Sequence, residues 1–240
     1  MNSVTLCLVN VGVLAVSQLA YGQDYQPLDV GWRWEYSGND GGTLVREVVG
    51  TATIIGREAA VIMNTATGGS VISGWTYESK SNEGDVRVHG TSSQDGSITD
   101  YFDPPSTMIS LPLTLGRTWD VTTQVYCDPE GTIPLGDPNT QTIEVLEIGT
   151  VSVPAGVFEG VKVSAAVCPV CETPGANAAG GLHVRSKRDK KGVTASAWWV
   201  DGLGMVQFEV LGTVYSLTSW EAGPVDVRGA TWGKTKARYR

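Results

Sequence analysis

Charge, histidine and long apolar runs are all scarce in this 240-residue chain, and each scarcity removes a class of function. Charged residues make up 18%, and 25 acids against 17 bases leave a net charge of −8. The last thirteen residues hold Arg228, Lys234, Lys236, Arg238 and Arg240 with no acid, so residues 23–227 carry −13. An acidic body of that kind repels polyanions, which excludes nucleic acid as a partner of the fold. There are two histidines and no Gly-x-Ser-x-Gly elbow. A Ser-His-Asp triad would have to use His89, on an alternating apolar and polar stretch, or His183, beside a basic run; surface or loop histidines are the simpler account. The longest uninterrupted apolar run falls short of the ~20 residues of a membrane-spanning helix, so no transmembrane span is expected.

What the chain does contain points to β structure. Thirty glycines, eleven prolines and many Thr, Val and Ser residues suit short strands and tight turns, and 41% hydrophobic residues suffice for a buried core. The run Val4 to Ala20, ending at Ala20-Tyr21-Gly22, reads as a signal peptide over residues 1–22, although no Lys or Arg precedes it. That places the protein in a secreted, periplasmic or cell-envelope compartment. Cys7 lies near the start of that apolar run rather than at its end, so it is not expected to be a lipid-attachment site.

One pattern occurs twice. Pro27-Leu28-Asp29-Val30-Gly31-Trp32-Arg33-Trp34-Glu35 is matched by Pro112-Leu113-Thr114-Leu115-Gly116-Arg117-Thr118-Trp119-Asp120. Further on, Val49 to Gly56 answers Ile148 to Gly156, and Val61-Ile62-Met63 answers Val161-Lys162-Val163. Trp75-Thr76-Tyr77-Glu78 resembles Trp198-Trp199-Val200-Asp201, and Gly84 to Val88 resembles Gly204 to Phe208. The expected organisation is a first half-repeat over 23–108, ending in a loop at Asp103-Pro104-Pro105-Ser106, and a second over 109–222. A basic tail follows at 223–240. A unit that cannot close its own apolar face is covered by its copy. The expected fold is an all-β, internally duplicated antiparallel sandwich or closed barrel of eight or more strands, forming one domain. Two segments distinguish the second half: a Pro- and Gly-rich loop from Tyr126 to Asn139, and Cys168 to Gly181.

The Pro-Leu-x-x-Gly-x-x-Trp strand, the Val153-Pro154-Ala155-Gly156-Val157-Phe158 hairpin and Trp199 followed by Gly202-Leu203-Gly204-Met205-Val206 together resemble uncharacterised secreted bacterial β-rich proteins. The resemblance implies a sandwich or barrel in the envelope or extracellular space and carries over no catalytic residue.

Candidate chemistry begins with Cys127, Cys168 and Cys171. In an exported chain these suit a disulfide, from Cys127 to either of the others or between Cys168 and Cys171. With His183 they also supply the ligand types of a tetrahedral zinc site, though the second Cys-x-x-Cys of a strong zinc signature is missing. Asp100 and Asp103 beside Tyr101 and Phe102, and Asp201 after two tryptophans, form the aromatic and acidic mixture used to bind carbohydrate. Trp32 has Arg117 in its place in the second copy and is the motif ring expected to face a ligand. Arg185 to Gly192 reads as a solvated hairpin tip, and the tail as a surface-attachment segment. The function expected is a non-enzymatic binding or envelope-structural protein. A secreted hydrolase, metal-dependent or not, and a carrier of an apolar ligand inside a barrel are the alternatives.

Overall fold

The computed structural model describes residues 23–71, 73–95, 99–166, 194–210 and 212–223. Twelve strands follow in chain order: β1 (Arg33–Gly38), β2 (Thr43–Ile54), β3 (Arg57–Thr67), β4 (Gly74–Lys80), β5 (Val86–Ser93), β6 (Thr99–Ile109), β7 (Thr118–Tyr126), β8 (Pro134–Val153), β9 (Gly156–Ala166), β10 (Thr194–Val200), β11 (Gly204–Val210) and β12 (Thr213–Glu221). Each pairs antiparallel with its sequence neighbour, and β12 pairs with β1, so the sheet closes into a barrel. Of the two architectures the sequence allows, it is the barrel. Closure removes both sheet edges, which is how an all-β chain of this length avoids templating its own aggregation.

Alternation sorts the side chains. On β1, β2 and β12 the positions Trp34, Tyr36, Leu44, Val48, Tyr215 and Leu217 are buried, whereas Thr51, Thr118, Thr122, Glu144, Thr150 and Glu209 lie exposed on their strands. Val49, Leu146 and Ile148 are exposed on the same strands and Val157 on β9, so the outer face mixes hydroxyls and acids with scattered apolar side chains. No helix among the described residues is long and apolar enough to cross a membrane.

The lumen is filled unevenly. One cluster gathers Trp32, Trp34, Tyr36, Phe208, Tyr215 and Leu217 with aliphatic neighbours. Tyr36 meets Phe208 edge-on at 5.5 Å, and Phe208 stacks on Tyr215 at 5.1 Å. A second cluster joins Val86, Ile109, Ile143, Val145, Val163 and Trp199. Tyr25, on the segment that precedes β1, belongs to it, and that segment is tied to the β10–β11 turn by Asp24 N to Asp201 Oδ1 (2.6 Å) and Gly202 N to Asp24 O (2.8 Å).

The two motif copies adopt one local structure. Gly31 and Gly116 take positive φ, 92° and 76°, a region that favours glycine. Gly31 N donates to Val48 O and Val48 N to Trp32 O, at 2.8 and 2.9 Å; Gly116 N donates to Val145 O and Val145 N to Arg117 O, both at 2.9 Å. A bulge follows each acceptor strand residue, between Val48 and Gly50 and between Val145 and Glu147. The motif therefore encodes strand entry: a glycine turn that hooks the incoming chain onto a bulge of the next strand.

Two expected loops are shorter than the sequence suggests. Asp103 to Ser106 lies inside β6, and the Tyr126 to Asn139 loop is confined to 127–133, because β8 starts at Pro134. Asp128 closes that turn by accepting from Thr132 N and Ile133 N at 2.9 and 2.7 Å, which holds its carboxyl below the usual range.

Candidate functional site: a seam in the barrel wall

The prolines of β6 open the wall. Proline has no N–H to give a ladder and is tolerated in a sheet only where pairing lapses. Along β6, pairing with β7 runs from Tyr101 to Asp103 and then stops at Pro104-Pro105. On the other side, β6 pairs with β5 at Thr99 to Tyr101, skips Phe102 to Pro105, and resumes at Ser106. Beyond the prolines the β6–β7 seam is held by side chains. Gln141 Nε2 donates to Ser106 Oγ (3.0 Å), Trp119 Nε1 to Thr107 O (3.0 Å) and Arg117 Nη1 to Ser110 O (2.8 Å).

A half-open cleft of about 400 Å³ lies along this seam. Asp85 and Arg87 form one wall, Pro104, Pro105, Thr107 and Ser110 the middle, and Trp119 to Thr122 the other wall. Asp85 accepts from Leu111 N at 2.8 Å and Asp120 from Thr142 Oγ1 at 2.6 Å, so both carboxylates are held in place from outside the cleft. Trp119 is oriented twice, by its indole N–H and by the Arg117 guanidinium 5.8 Å from its ring centre. That arrangement parallels the first copy, where Trp32 occupies the place of Arg117 and stacks on Trp34 at 5.7 Å. In both copies the residue two before the tryptophan braces its ring. Trp34, however, is 1% exposed and donates to Leu203 O at 2.7 Å, whereas Trp119 is half-buried and borders the cleft.

A second polar constellation lies inside the barrel. Arg46 Nη2 meets Glu78 Oε1 at 2.6 Å, with side chains 6% and 5% exposed. Arg46 Nε donates to Asn64 Oδ1 (3.2 Å) and Asn64 Nδ2 to Thr76 Oγ1 (2.9 Å). Burial works most strongly against the charge on Arg46, but Glu78 and Tyr36 beside it together outweigh burial and raise the guanidinium's pKa. Glu78 Oε2 has no hydrogen-bond partner among the described residues.

The third site is a bulge in β5. The β4–β5 ladder steps from Tyr77↔Gly90 to Glu78↔Val88, so His89 stands outside it, and the β5–β6 ladder skips the same residue. His89 is 3% exposed, its Nε2 is 2.7 Å from Ser79 Oγ, and its Nδ1 has no partner among the described residues. Burial first, then Arg57 and Arg87, lower its pKa to about 4, so the ring is neutral at pH 7.

Most residues singled out from sequence fall elsewhere. Trp32 is 7% exposed and stacked on Trp34, so the ring expected to face a ligand is a core ring. Cys127 is half-buried and forms no disulfide among the described residues, while Cys168, Cys171 and His183 lie outside them, as do the leader, the basic run and the tail from 224. No described group of three or more His, Cys, Asp or Glu side chains could hold a metal. Asp103 pairs with Arg57 at 2.7 Å, and Asp201 accepts from the Asp24 backbone. Asp85, Arg87 and the Arg46–Glu78 pair went unnoticed in the sequence. The signals were there: two prolines inside a strand-length segment, and a charge at the middle of the Leu44-x-Arg46-x-Val48 alternation.

No family model matches the chain, and no curated protein matches it. Among solved structures, it is similar to a candidate exported protein with a YmcC-like fold from Bacteroides fragilis. That match has a TM-score of 0.46 and 16% identity and covers 83% of this chain and 100% of the other. A candidate lipoprotein from Parabacteroides distasonis has a TM-score of 0.43 and 13% identity, covering 83% and 99%.

Proposed function

We propose that this chain is an exported, non-catalytic binding barrel, a fused pair of six-stranded units, and that the seam cleft takes a carbohydrate. The observation that carries the reading is the cleft itself. Half-buried Trp119 stands beside Asp85, Arg87, Thr107, Asp120 and Thr122 in about 400 Å³, within the size range of small-ligand sites. A sugar offers an apolar ring face for an indole and hydroxyls for carboxylates, guanidinium and threonines. The opposite side of the lumen is filled by Tyr36, Phe208 and Tyr215, which favours a site in the wall over an apolar ligand carried inside. Export is supported by the apolar leader at residues 1–22.

The test is a screen of the purified full chain against an immobilised glycan array, followed by calorimetry on the hits. Trp119→Ala should weaken binding at least about tenfold, equivalent to about 1.4 kcal/mol. A hit bound equally well by Trp119→Ala, or an array with no hit, would contradict the cleft as a sugar site.

A further inference from the structure

His89 occupies a setting that neither core packing nor the cleft explains. A bulged residue left out of both its ladders could point its side chain to solvent, yet this one is 3% exposed. Opposite it, β6 leaves the β5 ladder for four residues, Phe102 to Pro105, and Asp103 in that stretch reaches Arg57 at the start of β3. The ion pair thus reaches across β4 and β5. Gly90 allows the close approach beside the bulge, since a Cβ there would lie 2.5 Å from Asp100 O. Ser79 engages one ring nitrogen. When the Ser79 hydroxyl donates to Nε2, the proton of the neutral ring sits on Nδ1, a buried N–H without an acceptor among the described residues.

A buried donor left unpaired costs about 1–3 kcal/mol, so an acceptor there would be stabilising. The charges that reach His89 are both positive. Arg57 and Arg87 act on the ring, whereas Asp103 and Asp85 hold those guanidiniums at 2.7 and 3.7 Å without offsetting their effect. A guanidinium has five donors, and one carboxylate contact does not use them up. Arg87, two residues from His89, lines the cleft, as do Pro104 and Pro105 of the β6 stretch opposite the bulge, so the cleft borders the bulge although His89 itself does not line it.

We propose that the β5 bulge is a site for a small oxyanion, sulfate or phosphate, bound by the His89 Nδ1–H with Arg57 and Arg87. The residues argue for the anion independently of the sugar reading, and contiguity with the cleft admits two sources for it. It is either the free ion or a sulfate or phosphate ester on a cleft-bound sugar. Two arginines and one neutral donor suit a tetrahedral dianion, with Arg87 as its link to the cleft.

The experiment follows the His89 ring nitrogens by NMR on the full chain. It is titrated with sodium sulfate, inorganic phosphate and a sulfated monosaccharide, with sodium chloride at equal ionic strength as the control. Sulfate or phosphate should saturate a shift of Nδ1 that chloride does not produce. Arg87→Gln and, separately, Arg57→Gln should weaken saturation several-fold while circular dichroism stays that of a folded barrel. The sulfated sugar should bind more tightly than the free ion and also move the Trp119 indole N–H. Saturation by the ions with no gain from the sugar would uphold the anion site and count against the carbohydrate reading. A His89 ring that responds no differently to sulfate and phosphate than to chloride would overturn the anion site, whatever the glycan array shows.

Discussion

Removing one member of the Arg46–Glu78 pair should destabilise the barrel more than nearly any other single substitution. The pair is 2.6 Å apart with both side chains 5–6% exposed, and Arg46 is further committed to Asn64. Glu78→Gln leaves the guanidinium charged in a site that water barely reaches, and breaking a buried pair in this way costs about 3–5 kcal/mol. At about 2–4 °C per kcal/mol for a chain of 150–250 residues, the melting temperature should fall by roughly 6–20 °C. Replacing both partners, Arg46→Met with Glu78→Met, removes the uncompensated charge. It leaves Asn64 short of one donor, worth about 1 kcal/mol, so most of the loss should be recovered. Urea unfolding of wild type, Arg46→Met, Glu78→Met and the double variant closes the cycle, with Glu78→Gln measured beside it. The reasoning fails if Glu78→Gln shifts the midpoint by less than the equivalent of 1 kcal/mol, or if the double variant is the least stable of the four.

Three further outcomes follow from geometry. His89 has a folded pKa of about 4 against an ordinary value of 6.5, so the unfolded chain binds the extra proton between those limits. Stability is therefore fully present above about pH 6.5 and falls by up to about 3 kcal/mol as pH drops toward 4, and denaturant titrations of His89→Asn should show a flatter profile across that window. Gly90→Ala places a methyl 2.5 Å from Asp100 O and should cost about 1–3 kcal/mol by urea melt, whereas Gly149→Ala, whose Cβ meets nothing within 4 Å, should come within about 1 kcal/mol of wild type. Trp34→Ala, at 1% exposure, should lose about 3–5 kcal/mol of stability, and the half-buried Trp119→Ala clearly less.

Strand class was legible because it rests on local composition, and the Pro-Leu-x-x-Gly-x-x-Trp segment stood out because it occurs twice, but sandwich and closed barrel are told apart only by the pairing of β12 with β1. In both copies that segment makes the same hydrogen bonds to a bulge. Register was less legible. Val61-Ile62-Met63 looks like Val161-Lys162-Val163, but the bulges align Val61 with Lys162 and Ile62 with Val163, since Ile62 faces Val48 and Val163 faces Val145. A slip of one residue moves every side chain to the opposite face, and short apolar strings do not reveal it. The cleft was missed for a related reason. Pro104-Pro105 reads as the end of a strand, and only pairing on both sides shows a strand that continues while its neighbours part. Trp32 looked available because it is unmatched in its repeat, whereas the structure stacks it on Trp34 and the second copy replaces that stacking with the Arg117 guanidinium. Arg46 and Glu78 are 32 residues apart, and their meeting depends on the order of three strands.

The most direct measurement is the Trp119 indole N–H resonance of the full chain, titrated with the oligosaccharide that binds best on the array. That proton sits in the seam, bonded to Thr107 O at 3.0 Å, while the indole of Trp34 is buried and bonded to Leu203 O. A sugar-binding cleft predicts a saturable shift of the Trp119 signal and of the Thr107, Asp120 and Thr122 amides, with Trp34 unmoved. A bound sugar that leaves Trp119 and these amides unchanged, or that shifts Trp34 instead, would contradict it.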